Sequence, residues 1–202
     1  MLDSVLVARD RYLKKDTGLM FPSHASILMA PIVDEQNRVS NNYDYNHAMD
    51  DWDEFVDSTR EKYGGVDYSV LTKDFEKETL DYYVGQSQWT DLPEKTLLAT
   101  PQVIKTLDLM TCTHKHTRGI FGNANNSEEE SAWEGNTDTN EFDFVLKPEK
   151  TVVSGFASWF TTDFKSRTDS MASKDAPKLV KTVTLNTGPD QGYTHWGQQA
   201  FY

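Results

Sequence analysis

Thr194, His195 and Trp196 stand side by side near the end of the chain, a hydroxyl, an imidazole and an indole in three consecutive residues. They follow a Gly188-Pro189-Asp190 break that stops any regular ladder, and they precede a strand carrying Gln198, Phe201 and Tyr202. A histidine held on such a loop between two strands faces a pocket readily and changes charge near neutral pH, so His195 is the leading candidate for proton transfer. One His beside one Trp also serves simple packing with a hydrogen bond. Other constellations are poorer. His114-x-His116 puts two rings on one face of an extended chain, as a metal pair requires, but no third ligand lies at a standard spacing and Lys115 and Arg118 add positive charge. A surface turn accounts for it better. Met1 and Ser4 open a helix, where an initiator and a cap are the ordinary roles. Gly64-Gly65 and Gly119-Ile120-Phe121-Gly122 lack the flanking strand and helix of a phosphate-cradling turn.

The elements that must position these residues follow from periodicity. Met1–Lys15 reads as a helix, with Leu2, Val5, Leu6, Tyr12 and Leu13 at spacings of three and four, Lys14-Lys15 in its last turn and Gly18 as its stop. An isolated helix of that length needs a partner surface, which is expected to lie outside this sequence. Ser23–Asp34 is extended until Pro31, which restricts the strand to an edge or an end. Asn46 to about Tyr63 is helical, with Met49, Trp52, Val56, Thr59 and Tyr63 on one stripe. Gly64-Gly65 ends it, Ser69 is a candidate cap, and Leu71, Phe75 and Tyr82 carry a second stripe towards Gly85. This helical insert, about 39–92, interrupts strands on both sides and should project from the sheet. Its Trp52, Phe55, Tyr63, Phe75, Tyr82 and Tyr83 are more aromatic surface than two helices bury alone, which points to a partner; the alternative is an arm folded back on its own sheet.

From Val103 onward the pattern is β: Leu107 and Leu109 alternate with Thr106 and Asp108, Phe142, Phe144 and Leu146 with Asp143 and Val145, and Phe156 and Phe160 share a face with Val152. Arg118–Asn140, with Glu128-Glu129-Glu130 at its centre, reads as a solvated loop, and Ser166–Lys178 as another. The fold class is therefore mainly β, an antiparallel barrel-like domain or sandwich with an inserted helical arm and an N-terminal helix.

Composition narrows the class of partner. A chain of 202 residues with 37% hydrophobic residues supports one domain plus an appendage. A formal net charge of −12 disfavours nucleic-acid backbones and anionic membranes, and steers cationic partners inward. The single cysteine, Cys112, forms no internal disulfide. No apolar run reaches the length of a membrane helix, the start lacks a secretory layout, and the sequon at Asn125-Asn126-Ser127 is read as accidental. The expected location is cytoplasmic or nuclear.

The string LNTGPDQGYTHWGQQAFY, Leu185–Tyr202, resembles the Thr-His-Trp loop of the protein arginine methyltransferases. Ala8–Ile32, ARDRYLKKDTGLMFPSHASILMAPI, is similar to the family's junction between cofactor domain and barrel. Asp108-Leu109 within TLDLMT, the run VVSGFASWFTTDF at Val152–Phe164 and the turn Asn186–Pro189 fall in the family's order. The resemblance implies a methyl transfer from S-adenosylmethionine to arginine guanidinium nitrogens of basic proteins such as histones or Arg-Gly-rich proteins, with asymmetric dimethylation as the product class. It implies His195 as a catalytic group in a proton relay, Trp196 and Met1 against the substrate arginine, and Met1 and Ser4 against the cofactor. Residues 1–16 would be the helix at the junction with a cofactor-binding domain outside this sequence, and residues 17–202 the barrel with its arm. The arm would make a homodimer, although the family's Tyr-Gly-Phe-Asp run reads Tyr63-Gly64-Gly65-Val66-Asp67 here. The two catalytic glutamates and the cofactor turn are absent from this sequence, so the chain alone is expected to be inactive and to look like a part trimmed at both ends. The competing expectation is a non-catalytic β-barrel interaction module, a degenerate homologue.

Overall fold

The structure is a computed structural model that describes residues 2–118, 137–138, 143–146, 152–166, 174 and 178–202. Met1, Phe142, Glu128–Glu130, the sequon and the Gly119–Gly122 run lie outside the described residues. The chain runs through helix α1 (Leu2–Tyr12), strand β1 (His24–Ile32), helices α2 (Glu35–Lys62) and α3 (Thr72–Leu80), and strands β2 (Gln88–Thr90) and β3 (Gln102–Asp108). Strands β4 (Thr137–Asp138), β5 (Gly155–Phe164), β6 (Val183–Asn186) and β7 (Gln198–Phe201) complete it.

All seven strands join one antiparallel sheet along the path β2-β7-β5-β1-β3-β4, with β6 beside β5. Strand β5 is its hub. One edge of β5 pairs with β1 over its whole length, from His24↔Asp163 to Ile32↔Gly155. The other edge is shared: β7 takes Phe156–Ser158 and β6 takes Thr161–Phe164, leaving a gap at Trp159 and Phe160. Among the described residues the path stays open between β2 and β4, so the sheet is barrel-like without being closed.

The core forms where small residues line up. Ala30, Ala157 and Ala200 occupy one cross-strand row on β1, β5 and β7, and Ile32, Leu92, Leu97 and Trp159 fill the space over it. Pro31 is tolerated inside a central strand because its carbonyl accepts from Leu98 N at 2.9 Å. A residue's N and C=O point to the same side of a strand, so the missing N–H lies on that side and no bond of the β5 ladder is lost.

Several expectations are corrected. The partner of α1 is within this chain: Leu6 is fully buried against Leu107, Leu109 and Cys112. Arg9 reinforces the contact by donating to the carbonyls of Leu109 (2.9 Å) and Cys112 (2.7 Å). Tyr12 is off the apolar stripe, 81% exposed. The arm begins earlier than its aromatic stripe suggests, since α2 starts at Glu35, where Glu35 pairs with Arg38 across the first turn. Ser69 is not the cap. Asp67 is the acceptor, receiving Ser69 N at 3.0 Å and Arg60 at 2.8 Å, which holds its carboxyl down at about 2. Residues Asp143–Leu146 form no strand, whereas Thr137 and Asp138, expected in a loop, pair with β3. Val152 also lies outside β5.

Within the arm, α2 and α3 pack on each other. The rings of Trp52 and Phe75 stack at 4.3 Å, Trp52 Nε1 donates to Thr72 Oγ1 at 2.9 Å, and Val56, Thr59 and Thr79 are buried. Gly64 and Gly65 make the turn at φ of 69° and 85°, a conformation that favours glycine, so the altered Tyr63–Asp67 run still reverses the chain. Tyr43, Phe55, Tyr63, Val70, Leu71 and Tyr82 remain exposed on the arm.

Candidate active-site loop

The loop that carries His195 is built on the gap in the β5 edge. Thr187 and Gln198 are its two stems, and no backbone ladder joins β6 to β7 there. Side chains do the work instead. Thr187 Oγ1 donates to Phe160 O at 2.8 Å, and the Thr187 amide reaches the same carbonyl at 3.2 Å. Gln198, 1% exposed, donates from Nε2 to Thr187 O at 2.9 Å and accepts Leu92 N at 2.8 Å through Oε1. A buried amide with both ends satisfied fixes the stems to each other and to the segment that returns from the arm.

Above the stems the backbone makes two tight reversals. Asn186 Oδ1 accepts Gly188 N at 2.8 Å, and the short turn Pro189–Gln191 ends at Gly192 with φ of 70°. A Cβ at Gly188 would fall 2.6 Å from the buried Trp159 Nε1, so glycine is required there by close approach. The second reversal is Thr194–Gly197, closed by Gly197 N donating to Thr194 O at 3.2 Å, with Gly197 at φ of 54°.

This turn presents the Trp196 ring edge-on to Phe160, centroids 5.8 Å apart at 82°, with the indole 48% exposed. His195 is exposed, its ring 5.7 Å from that of Trp196 at 81°. Among the described residues no side-chain hydrogen bond holds the imidazole. The imidazole is thus exposed and is not consumed in apolar packing. Trp89 Nε1 donates to Trp196 O at 2.7 Å. That indole, like the Gln198 amide, had no marker in the sequence beyond a tryptophan after the arm and a glutamine at an inward strand position.

The other candidates sit elsewhere. Ser4 is exposed on α1, which rests on the end of β3, and β1 stands between β3 and the β5 strand under Trp196. His114 and His116 are held by different partners: His114 Nδ1 bonds Asp3 Oδ1 at 2.9 Å, and His116 Nδ1 accepts Thr113 N at 3.0 Å within its own turn. The His114 bond, with Arg118 and Thr117, lowers the Asp3 carboxyl from its usual range. Among the described residues no cluster of three metal-ligating side chains exists. Cys112 is buried, and burial pushes its thiol up, which suits a packing residue.

Comparison with known proteins accords with these features. A family described as the arginine methyltransferase oligomerization subdomain matches residues 24–202. Protein arginine N-methyltransferase PRMT10 of Arabidopsis thaliana is 35% identical over 203 residues, covering all of this chain and 45% of the relative. Its namesake in Oryza sativa subsp. japonica is 34% identical, covering all of this chain and 46% of its own length. The crystal structure of Arabidopsis thaliana protein arginine methyltransferase 10, described as a uniquely open conformation, superposes with a TM-score of 0.76 at 35% identity over all of this chain and 50% of that one. The chain thus spans about half the length of the relatives it matches. With its sheet, its arm and its Thr-His-Trp loop, it belongs to the protein arginine methyltransferase family, of which it carries the C-terminal, oligomerization portion.

Proposed function

We propose that this chain supplies the barrel, the arm and the His195 wall of a protein arginine N-methyltransferase. The observation that carries the reading is the exposure of His195 and Trp196 on a loop whose two stems are tied by the buried Gln198 amide, bonded at both ends. S-adenosylmethionine, when bound, supplies an electrophilic methyl group. No strand, Gly-rich turn and helix unit able to cradle it occurs among the described residues, so its holding is assigned mainly to a cofactor-binding domain outside this sequence, with Ser4 on α1 and Met1 contributing from this chain. What this chain's residues do is narrower. Arginine is protonated at physiological pH, and its guanidinium must be oriented and must lose a proton as a nitrogen is methylated. Trp196 offers a flat wall for the guanidinium plane, and His195 stands beside it to take and pass on that proton.

The remaining assignments extend the same reading. Substrates are basic proteins, histones or Arg-Gly-rich chains, drawn by the net charge of −12. The product is asymmetric dimethylarginine, and the protein acts in the cytoplasm or the nucleus. The exposed Tyr43, Tyr63, Val70 and Tyr82 of the arm support a second copy of the protein as its docking partner, giving a homodimer. The test is methyl transfer from labelled S-adenosylmethionine to an Arg-Gly-rich peptide by the full-length protein. Replacing His195→Gln is expected to lower kcat by about 10²–10⁴-fold, with KM for both substrates little changed. An unaltered kcat would remove His195 from the relay. The chain by itself is expected to show neither activity nor micromolar binding of S-adenosylmethionine by calorimetry.

A further inference from the structure

We infer that Trp89, on the strand by which the chain returns from the arm, is a positioning residue for His195. The inference rests on the function proposed above. Three contacts meet at this point. Trp89 Nε1 donates to the carbonyl of Trp196 at 2.7 Å. The Trp89 ring lies against Gly197, where an added Cβ would fall 2.7 Å from Nε1 and 2.6 Å from Thr90 O. The bond from Gly197 to Thr194 closes the same turn from inside.

His195 has no hydrogen bond of its own among the described residues, so its position is inherited from the peptide planes on either side. The plane after it leads to Trp196, whose ring is set edge-on by Phe160 and whose carbonyl is set by Trp89. Removing the Phe160 contact would free the ring, whereas removing the Trp89 bond would free the backbone that aims the imidazole.

Strand β2 does little else to justify a tryptophan. It is three residues long, among the described residues it pairs with β7 alone, and Trp89 is 55% exposed opposite Gln199. An indole half in water contributes modestly to a core, and phenylalanine would supply comparable packing. The indole N–H is the part phenylalanine lacks, and it is the part that touches the loop. Its partner is a carbonyl at the end of a one-turn reversal, where an unheld backbone would sample several orientations.

The test uses the full-length protein and two variants. Trp89→Phe removes the donor and keeps most of the ring; Gly197→Ala drives a Cβ into the carbonyl of Thr90 and displaces the turn from its seat. Both are expected to lower kcat by about 10–100-fold while KM for S-adenosylmethionine and for the peptide stays within about twofold, as for a misplaced catalytic group. Amide hydrogen exchange is expected to rise at residues 193–198 and to stay unchanged across 24–32 and 155–164. Unchanged kcat in Trp89→Phe, or faster exchange spread through the sheet, overturns the inference. If the wild-type protein transfers no methyl group to arginine, the proposed function fails, and exchange in the loop still decides whether Trp89 holds it.

Discussion

Gln198→Leu is the sharpest test of how the loop is founded. The substitution keeps the volume and removes both polar ends of a side chain that is 1% exposed. Two groups then lose their partners: the Leu92 amide, which gave its hydrogen to Oε1 at 2.8 Å, and the Thr187 carbonyl, which accepted Nε2 at 2.9 Å. Both residues are buried, so water does not readily replace the amide. Each orphaned group costs about 1–3 kcal/mol, and the added apolar contact of leucine offsets part of this, for an expected net loss of about 2–4 kcal/mol. Urea unfolding followed by far-ultraviolet circular dichroism reads the loss as a lower midpoint at unchanged slope. Gln198→Glu separates the two bonds, because it retains an acceptor for Leu92 and offers no donor to Thr187 when ionised. It also buries a charge, so it should be at least as unstable at neutral pH and should recover as the carboxyl is protonated. A loss below about 1 kcal/mol for Gln198→Leu would mean that the β5 ladder alone holds the stems, and the account of a rigid base would be wrong.

Two further outcomes follow from the same contacts. Leu6→Ala should cost about 2–5 kcal/mol and release α1 from β3, seen as rapid hydrogen exchange over residues 2–12 with the strands still protected; a cost near zero would return α1 to a partner elsewhere. The Asp67 carboxyl, held down at about 2 by Ser69 and Arg60, makes its contribution above the ordinary carboxylate range and loses it as pH falls towards 2. An NMR titration should therefore find the turn between α2 and α3 loosening only in strong acid. Asp67→Asn should remove that step, and an ordinary titration near pH 4 would refute the assignment.

The contributions of sequence and of tertiary structure divide along a physical line. Periodicity and turn chemistry are local, so the antiparallel class, the helices inserted between strands, the Gly188-Pro189 break and the strand after Trp196 were all legible along the chain. Side-chain identity, through the order of the Thr-His-Trp loop with the other segments, was enough to indicate the family. Local pattern misled where a long-range contact decided. The partner of α1 was sought outside the chain because the Leu107–Cys112 surface is about a hundred residues away in sequence. The tie from Gln198 to Leu92 and the one from Trp89 to Trp196 span more than a hundred residues as well. Sequence thus determined which groups exist and which segments are regular, since those depend on neighbours three or four residues away. Only the folded sheet decided which groups meet, because a hydrogen bond between distant residues depends on register and not on proximity along the chain.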